Sequence, residues 1–357
     1  MNIPHYTKIH NRFKLNGFHF SAEELKEIGY DFIKEGIPYE MAIGDFIMDW
    51  MDKYDHINVK TSGSTGDSKI IKISKQSMVS SAIRTGDFFN VKIGDSALHC
   101  LPADFIAGKM MLVRAMILGL SLELVEPSSC PMENLYKTYD FVAMTPMQAN
   151  NSLNQLDQIK TLIIGGAPIF PDLNKKLVER HQRCFETYGM TETITHIAAS
   201  KLTVPKKPFK ALDGIRLEVD KEGCLVVDAP YITDKLIQTN DVVHLHDEEN
   251  FTYLGRRDNV INSGGVKIFP EVVERKLANH IDLPFFVYGI PDKVLGEKLV
   301  LVVEGGERLL REFKLNQTSL KGLDKFEVPK EILYVSEILR NNGKYLREKT
   351  INTLIIS

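Results

Sequence analysis

The sequence predicts an α/β protein in two parts: a large unit of helix-wrapped, mostly parallel sheet with an antiparallel β portion, then a small α+β unit. Three observations predict it. Between Ser96 and Thr191, short apolar runs of strand length alternate with helix-length segments, the rhythm of a parallel sheet. After about Thr203 the helical segments give way to short strands punctuated by turns, as antiparallel β requires, and a second structural unit is expected to begin there. Past Asp258 an order of strand, helix, strand, strand fills a final stretch of roughly 100 residues, enough for a small domain.

Taken in order, Ser21 to Tyr54 carries apolar residues at three- and four-residue spacing (Leu25, Ile28, Phe32, then Met41, Phe46, Ile47, Trp50), which predicts amphipathic helices, with Ser21 and Glu24 as a capping box. SALHCLP, LSLELVEP, YDFVAMTP and KTLIIGG read as strands. FIAGKMMLVRAMILG, an Asn/Gln-rich segment and a Lys/Glu segment read as the helices between them. FETYGMT reads as a last strand with a helix-like continuation. LDGIRLEVDKEGCLVVD and HLHDEENFTYLG supply the antiparallel strands, and a helix over Glu271 to Asn279, PFFVYGIP, KLVLVVEG, a further helix and a strand complete the chain. The boundary is placed after Arg256, giving residues 1–256 and 257–357.

Composition excludes several classes. In 357 residues, 44 Lys and Arg against 47 Asp and Glu leave a net charge of −3, so no nucleic-acid partner is expected, and 43% hydrophobic with 25% charged residues fits a soluble globular protein. Cys100, Cys130, Cys184 and Cys224 form no CxxC pair, which argues against a disulfide framework or structural zinc and for a reducing, cytoplasmic setting. The first fifteen residues lack the apolar core of a signal peptide. Met110 to Val125 is broken by Arg114 and Glu123, so it reads as a buried helix and strand and no integral membrane segment is expected.

Four segments carry chemistry. Thr61, Ser62, Gly63, Ser64, Thr65, Gly66 and Lys69 lie within nine residues and offer hydroxyls, backbone N–H groups and a cation to phosphate oxygens; the flanks read as strands and Ser68 precedes the lysine, which distinguishes the loop from a Walker A motif. Tyr188, Gly189, Met190, Thr191 and Glu192 follow a strand end, where open α/β sheets place ligands, and Thr191 with Glu192 could hold a phosphate and a magnesium ion. Gly165, Gly166 and Ala167 follow another strand and would let the backbone approach a flat ligand. Asp241 and Arg256 could bind two ribose hydroxyls. In isolation Asn342-Gly343-Lys344 reads as a surface turn. His244 and His246 could share one face of a strand but lack a third ligand. Phe285 and Phe286 read as core, and Cys184 as a small buried hydrophobe.

In this order these segments resemble the adenylate-forming superfamily of acyl- and aryl-CoA synthetases, firefly luciferase and peptide-synthetase adenylation domains, from about Val59 to Arg347. TSGSTGDSK matches TSGSTGxPK apart from Ser68; YGMTE, GRRDNVINSGGVKIFPEVVE and GKYLR match the other blocks. The wording is most similar to the o-succinylbenzoate–CoA ligases of menaquinone biosynthesis. Two departures stand out: the phosphate loop begins at residue 59, so much of the usual amino-terminal subdomain is expected to be missing, and Phe105 stands where many relatives carry a histidine.

The resemblance implies ATP, Mg2+ and coenzyme A as cofactors and a small-molecule carboxylic acid as substrate, with a homo-oligomer left open. It implies that Ser62 to Gly66 with Lys69 hold the β- and γ-phosphates, Thr191 the α-phosphate and Glu192 the magnesium. Gly165, Gly166, Ala167, Glu186 and Tyr188 would line the adenine site, and Asp241 and Arg256 would take the ribose. Lys344 would bridge the attacking carboxylate and the α-phosphate. Asp258 occupies the hinge of a mobile small domain whose Ser263-Gly264-Gly265 loop serves thioester formation. Phe105, Ala107, Gly108, Lys109 and His196 would face the acid, with Lys109 ahead of His196 as partner for a second carboxylate. A different acid, a carrier-protein ligase and a nucleotide-binding pseudoenzyme are the alternatives.

Overall fold

The computed structural model describes residues 3–60, 70–278, 280–281, 283–305, 322–341 and 344–356. Its largest element is a twelve-stranded sheet. Six strands pair in parallel in the order Lys14–Leu15, Ser121–Leu124, Ser96–His99, Tyr139–Met144, Ile159–Ile164 and Cys184–Gly189. The inner strands are near-continuous apolar runs because both faces are buried. Phe141, Ala143 and Ile163 meet the helices Lys75–Phe89 and Ile106–Leu118 on one face, while Val142, Met144, Leu162 and Ile164 meet Ala149 and Leu177 of the helices Pro146–Asn151 and Pro171–Arg180 on the other.

Six further strands, His196–Lys201, Phe209–Ala211, Asn250–Arg256, Ile237–Leu245, Cys224–Asp228 and Arg216–Val219, continue the same hydrogen-bonded sheet with antiparallel pairing. This corrects two expectations. The antiparallel strands extend the first sheet over an apolar cluster of their own, including Ile197, Leu217, Leu225 and Phe251, and do not start a separate sheet near Thr203. No helix follows YGMTE: Thr191–Thr193 is a single 3-10 turn, and Ile194, at φ 66°, sends the chain straight back as a strand. A β-branched residue at that φ cannot continue a right-handed helix.

The capping box is borne out, with Glu24 N–H donating to Ser21 Oγ at 3.2 Å and Ser21 N–H to Glu24 Oε2 at 2.7 Å, ahead of the helix Ala22–Glu35. This helix packs on Pro38–Met51. Past Arg256 a second sheet orders Val266–Ile268, Ile261–Ser263, Gly296–Glu304 and Phe285–Asp292, with Glu331–Val335 parallel to Gly296–Glu304. Phe285 packs with Val273 and Leu277 of the helix Pro270–Leu277, and Phe286 packs on the opposite face with Ile351 of the helix Arg347–Ile356. The helix expected after KLVLVVEG lies outside the described residues. Among those described, no helix is long and apolar enough to cross a membrane.

Candidate functional site

The strands His56–Lys60 and Ile70–Ser74 pair antiparallel over five residues, as their alternation predicts. The loop they flank, with Thr61, Ser62, Gly63, Ser64, Thr65, Gly66 and Lys69, lies outside the described residues. Its second strand lines a cavity of about 360 Å³ together with Ser77, with Thr191, Glu192 and Ile194, and with Ile232, Thr233, Lys235, Leu236 and Ile237. Fold topology thus joins two sequence-predicted segments some 120 residues apart. Lys72 and Lys235 also line the cavity, and the exposed Glu192 carboxylate forms no ion pair among the described residues, a donor set that fits a metal-bound polyphosphate. Lys235 was missed; its only signal is its place just before Thr239-Asn240-Asp241.

Around the switch from parallel to antiparallel pairing, the polar residues of the Cys184–Gly189 strand meet those of the neighbouring hairpin. Tyr188 donates its hydroxyl to Asp241 Oδ2 at 2.5 Å. Asp241 sits opposite Arg256 in the sheet register, with 3.7 Å between Oδ1 and Nη1. Burial raises the Asp241 carboxyl above its ordinary value even though Tyr188 and Arg256 both pull it down. Arg256 also donates to Asp258 Oδ2 at 2.8 Å, and Asp258 is exposed on the 3-10 turn Arg257–Asn259. Glu186 is buried; Oε1 accepts the Ile169 N–H at 3.4 Å and Oε2 is ion-paired with Lys206, a residue the sequence reading missed. A Cβ at Gly165 would lie 2.5 Å from Thr187 Oγ1, so a larger residue there requires Thr187 to shift, and Gly166 has φ 87°. Ala167 is exposed and Met190 half-buried.

The residues expected to face the acid separate. Phe105 and Ala107 are exposed at the start of the helix Ile106–Leu118. Gly108 is buried where a Cβ would lie 2.2 Å from the Pro102 carbonyl oxygen, so packing accounts for it. Lys109 holds its ammonium 5.1 Å from the Phe46 ring, with Asp49, Asp104 and Asp45 as its charged neighbours, so its counter-charges are already present. His196 opens a strand, not a helical turn; it is buried, with Nε2 3.2 Å from Thr85 Oγ1, and burial followed by the nearby Arg114 holds its pKa well below the ordinary value.

Arg114 is the outlier. It is 2% exposed, and it donates from Nη2 to Thr195 Oγ1 at 3.0 Å and from Nη1 to Met111 Sδ at 3.5 Å, while Nε has no partner. No carboxylate of the described residues pairs with it, and burial lowers its pKa to about 9. An uncompensated buried cation is costly, and an anionic or strongly polar group beside it would offset that cost.

On the second sheet, Ser263-Gly264-Gly265-Val266 is a two-residue hairpin with both glycines at positive φ, as a type I′ turn needs. Lys344 pairs through its backbone with Asn341, and Asn342 and Gly343 lie outside the described residues. Three residues on, Arg347 donates to Glu274 Oε2 at 3.0 Å and to the Val287 carbonyl at 3.1 Å. The Pro270–Leu277 helix reaches the large sheet through Arg275, which donates to the Tyr253 carbonyl at 3.0 Å. His244 lies on the strand Ile237–Leu245 and His246 just past its end, their rings 4.7 Å apart. Burial pushes the Cys184 thiol up to about 12, so it is no nucleophile at neutral pH.

A model of the AMP-binding enzyme family matches residues 60–228. Among curated proteins, the 2-succinylbenzoate–CoA ligase of Bacillus cytotoxicus is 25% identical, the match covering 83% of this chain and 69% of the relative. Among solved structures, an acyl-CoA synthetase (AMP-forming)/AMP-acid ligase II-like protein from Dyadobacter fermentans is 34% identical, with coverage of 89% and 95% and a TM-score of 0.59. The o-succinylbenzoate coenzyme A synthetase of Bacillus subtilis, in complex with its acyl-adenylate intermediate, shares the fold at 22% identity and a TM-score of 0.72, with coverage of 82% and 68%.

Proposed function

This chain belongs to the AMP-binding enzyme family, and from that premise we propose that it is an AMP-forming acid–CoA ligase whose acid carries a second carboxylate, with o-succinylbenzoate, named in its relatives, as that acid. The observation that carries the dianionic choice is Arg114, a buried guanidinium whose partners, Thr195 and Met111, are both neutral, Thr195 following directly on the cavity-lining Ile194.

In this reading the succinyl carboxylate attacks the α-phosphate of ATP and expels pyrophosphate, and the coenzyme A thiol, losing its proton, then attacks the acyl carbon of the acyl-adenylate and displaces AMP. The chain supplies position and charge, not a covalent nucleophile. Thr191 donates to the α-phosphate, Lys72 and Lys235 add positive charge at the cavity wall, and Glu192 would hold magnesium, which supplies charge neutralisation on the phosphates. Asp241, oriented by Tyr188 and Arg256, accepts from the ribose. Glu186 with Gly165 to Ala167 borders the adenine, and Lys344 enters between the two anions. Residues 1–256 act as the nucleotide-binding domain and 257–357 as its lid, with Asp258 as hinge, bringing Ser263-Gly264-Gly265 in for thioester formation. The four cysteines are free thiols, in keeping with a cytoplasmic enzyme.

ATP–pyrophosphate exchange over a panel of mono- and dicarboxylic acids tests the reading. Exchange should be fastest with o-succinylbenzoate. Arg114→Met should raise the KM for that acid by roughly tenfold or more while leaving an analogue without the ring carboxylate nearly unaffected, because a charge-assisted contact contributes about 1.5–3 kcal/mol. Lys109→Met should change neither. No exchange with any acid rejects the ligase reading; equal losses on both substrates remove Arg114 from the role.

A further inference from the structure

We propose that Ile194 is a positioning residue whose strained backbone turn sets the nucleotide half-site and the acid half-site in one register. The inference rests on the reading of the site given above. Ile194 has φ 66° and ψ −59°, the geometry of the rare γ-turn of positive φ, and Thr195 N–H closes it onto the Thr193 carbonyl at 2.7 Å. A β-branched side chain is among the least suited to that region, so the surroundings must hold it there.

They do so from both sides. The Thr193 hydroxyl is fully buried, accepts the Met190 N–H at 2.9 Å, and lies 2.9 Å from the Met190 carbonyl and 2.8 Å from the Thr195 carbonyl, so its one proton serves either. Ile194 N–H donates to the Thr191 carbonyl at 2.9 Å. Gly189 closes against the turn, since a Cβ there would lie 2.2 Å from the Thr195 carbonyl oxygen, and the strand register slips between Tyr188 and Gly189. Bulges of this kind re-aim side chains.

The turn separates two destinations. Before it, Thr191, Glu192 and the Ile194 side chain line the cavity. Immediately after it, Thr195 Oγ1 accepts from Arg114 and His196 meets Thr85. An ordinary extended residue at 194 would carry Thr195 past Arg114, because each residue advances the strand by about 3.3 Å. The strained turn is therefore what lets adjacent residues serve opposite half-sites.

Three variants separate this role from a structural one. Ile194→Val keeps the branched side chain at the strained position and serves as the reference against which the other two are read. Ile194→Ala loses buried surface and cavity lining, so it should lower the melting temperature and raise the two KM values by less than glycine does. Ile194→Gly accepts a positive φ freely but no longer fixes one, and in pyrophosphate exchange it should raise the KM for ATP and for the acid together and lower kcat, by roughly tenfold to a hundredfold. If strain were only a structural cost, glycine would match or exceed alanine in both rate and KM, and that result overturns the proposal. Should Ile194→Gly not fold, Ile194→Asn, which tolerates positive φ, takes its place with the same expectation. A parent without exchange on any acid instead rejects the ligase reading itself.

Discussion

Two buried cations among the described residues, Lys75 and Arg114, are handled in different ways. Lys75 has no exposed surface, yet it is paired with Asp52 at 2.7 Å and lies over the Tyr6 ring, so its charge is settled within the fold. Arg114 has a hydroxyl and a thioether. In the proposed reaction Lys344 would enter where two anions meet, and the chain is tied down three residues later by Arg347 on Glu274 and the Val287 carbonyl. Lys344→Ala should therefore reduce adenylate formation by about 10²–10³, the loss of one electrostatic contact to a transition state, while supplied acyl-adenylate is still converted to thioester. Exchange at the parental rate would remove Lys344 from this role. Sequence alone made Lys109 the better anion partner than Arg114, because both follow LPADFIAG and helical spacing favours the nearer. What reverses the order is Asp45 and Asp49, about sixty residues upstream, which only packing brings to Lys109.

Elements explain which sequence features are scaffold and which are site. Gly108 belongs to a segment expected from the sequence to face the acid, but the helix Ile106–Leu118 starts so close to the Pro102 carbonyl that a methyl group at 108 would lie 2.2 Å from its oxygen. Gly108→Ala should cost about 1–3 kcal/mol, the usual range for overpacking, and appear as a lowered melting temperature with KM values little changed. A change in KM for the acid without loss of stability would return Gly108 to the site. The parallel strands were legible because burial on both faces writes them as apolar runs, and the phosphate-loop hairpin because its strands alternate. The turn at Ile194 was not, since YGMTETI has a helix-compatible composition and the decisive feature is one backbone dihedral fixed by tertiary contacts. The antiparallel portion of the large unit was legible too, but its hydrogen-bonded continuity with the parallel strands was not, so a new unit was expected near Thr203: partners across a sheet leave no periodicity in the text.

At the scale of the whole molecule, the two sheets carry buried titratable groups of opposite sign. In the large sheet, burial lowers the His99 pKa to about 4, although its ring bonds to the Gly108 carbonyl at 3.2 Å, and holds His196 well below its ordinary value beside Arg114. Both take up a proton in the unfolded chain before the folded one, so their contribution to stability is lost as pH falls below about 6.5, that of His99 down to about 4. Asp241, raised by burial, works against them in the same sheet. In the small sheet Glu274 is pushed up to about 7 by burial and by Glu271, against the pull of Arg347 and the Val287 N–H. The folded form gains its proton first, so acidification from about pH 7 to pH 5 stabilises that sheet, by about 3 kcal/mol at most. Trp50, the only tryptophan and buried against the large sheet's helices, reports one part by fluorescence, while amide exchange in Phe285–Asp292 and Gly296–Glu304 reports the other. On going from pH 7 to pH 5, the Trp50 transition should move to lower temperature while exchange in the small sheet slows. Glu274→Gln should abolish the slowing and leave the Trp50 response unchanged. A parallel response of both probes, or an unaltered exchange profile in the glutamine variant, would show that Glu274 is ionised in the folded chain at pH 5 and that its ion pair with Arg347 outweighs its burial.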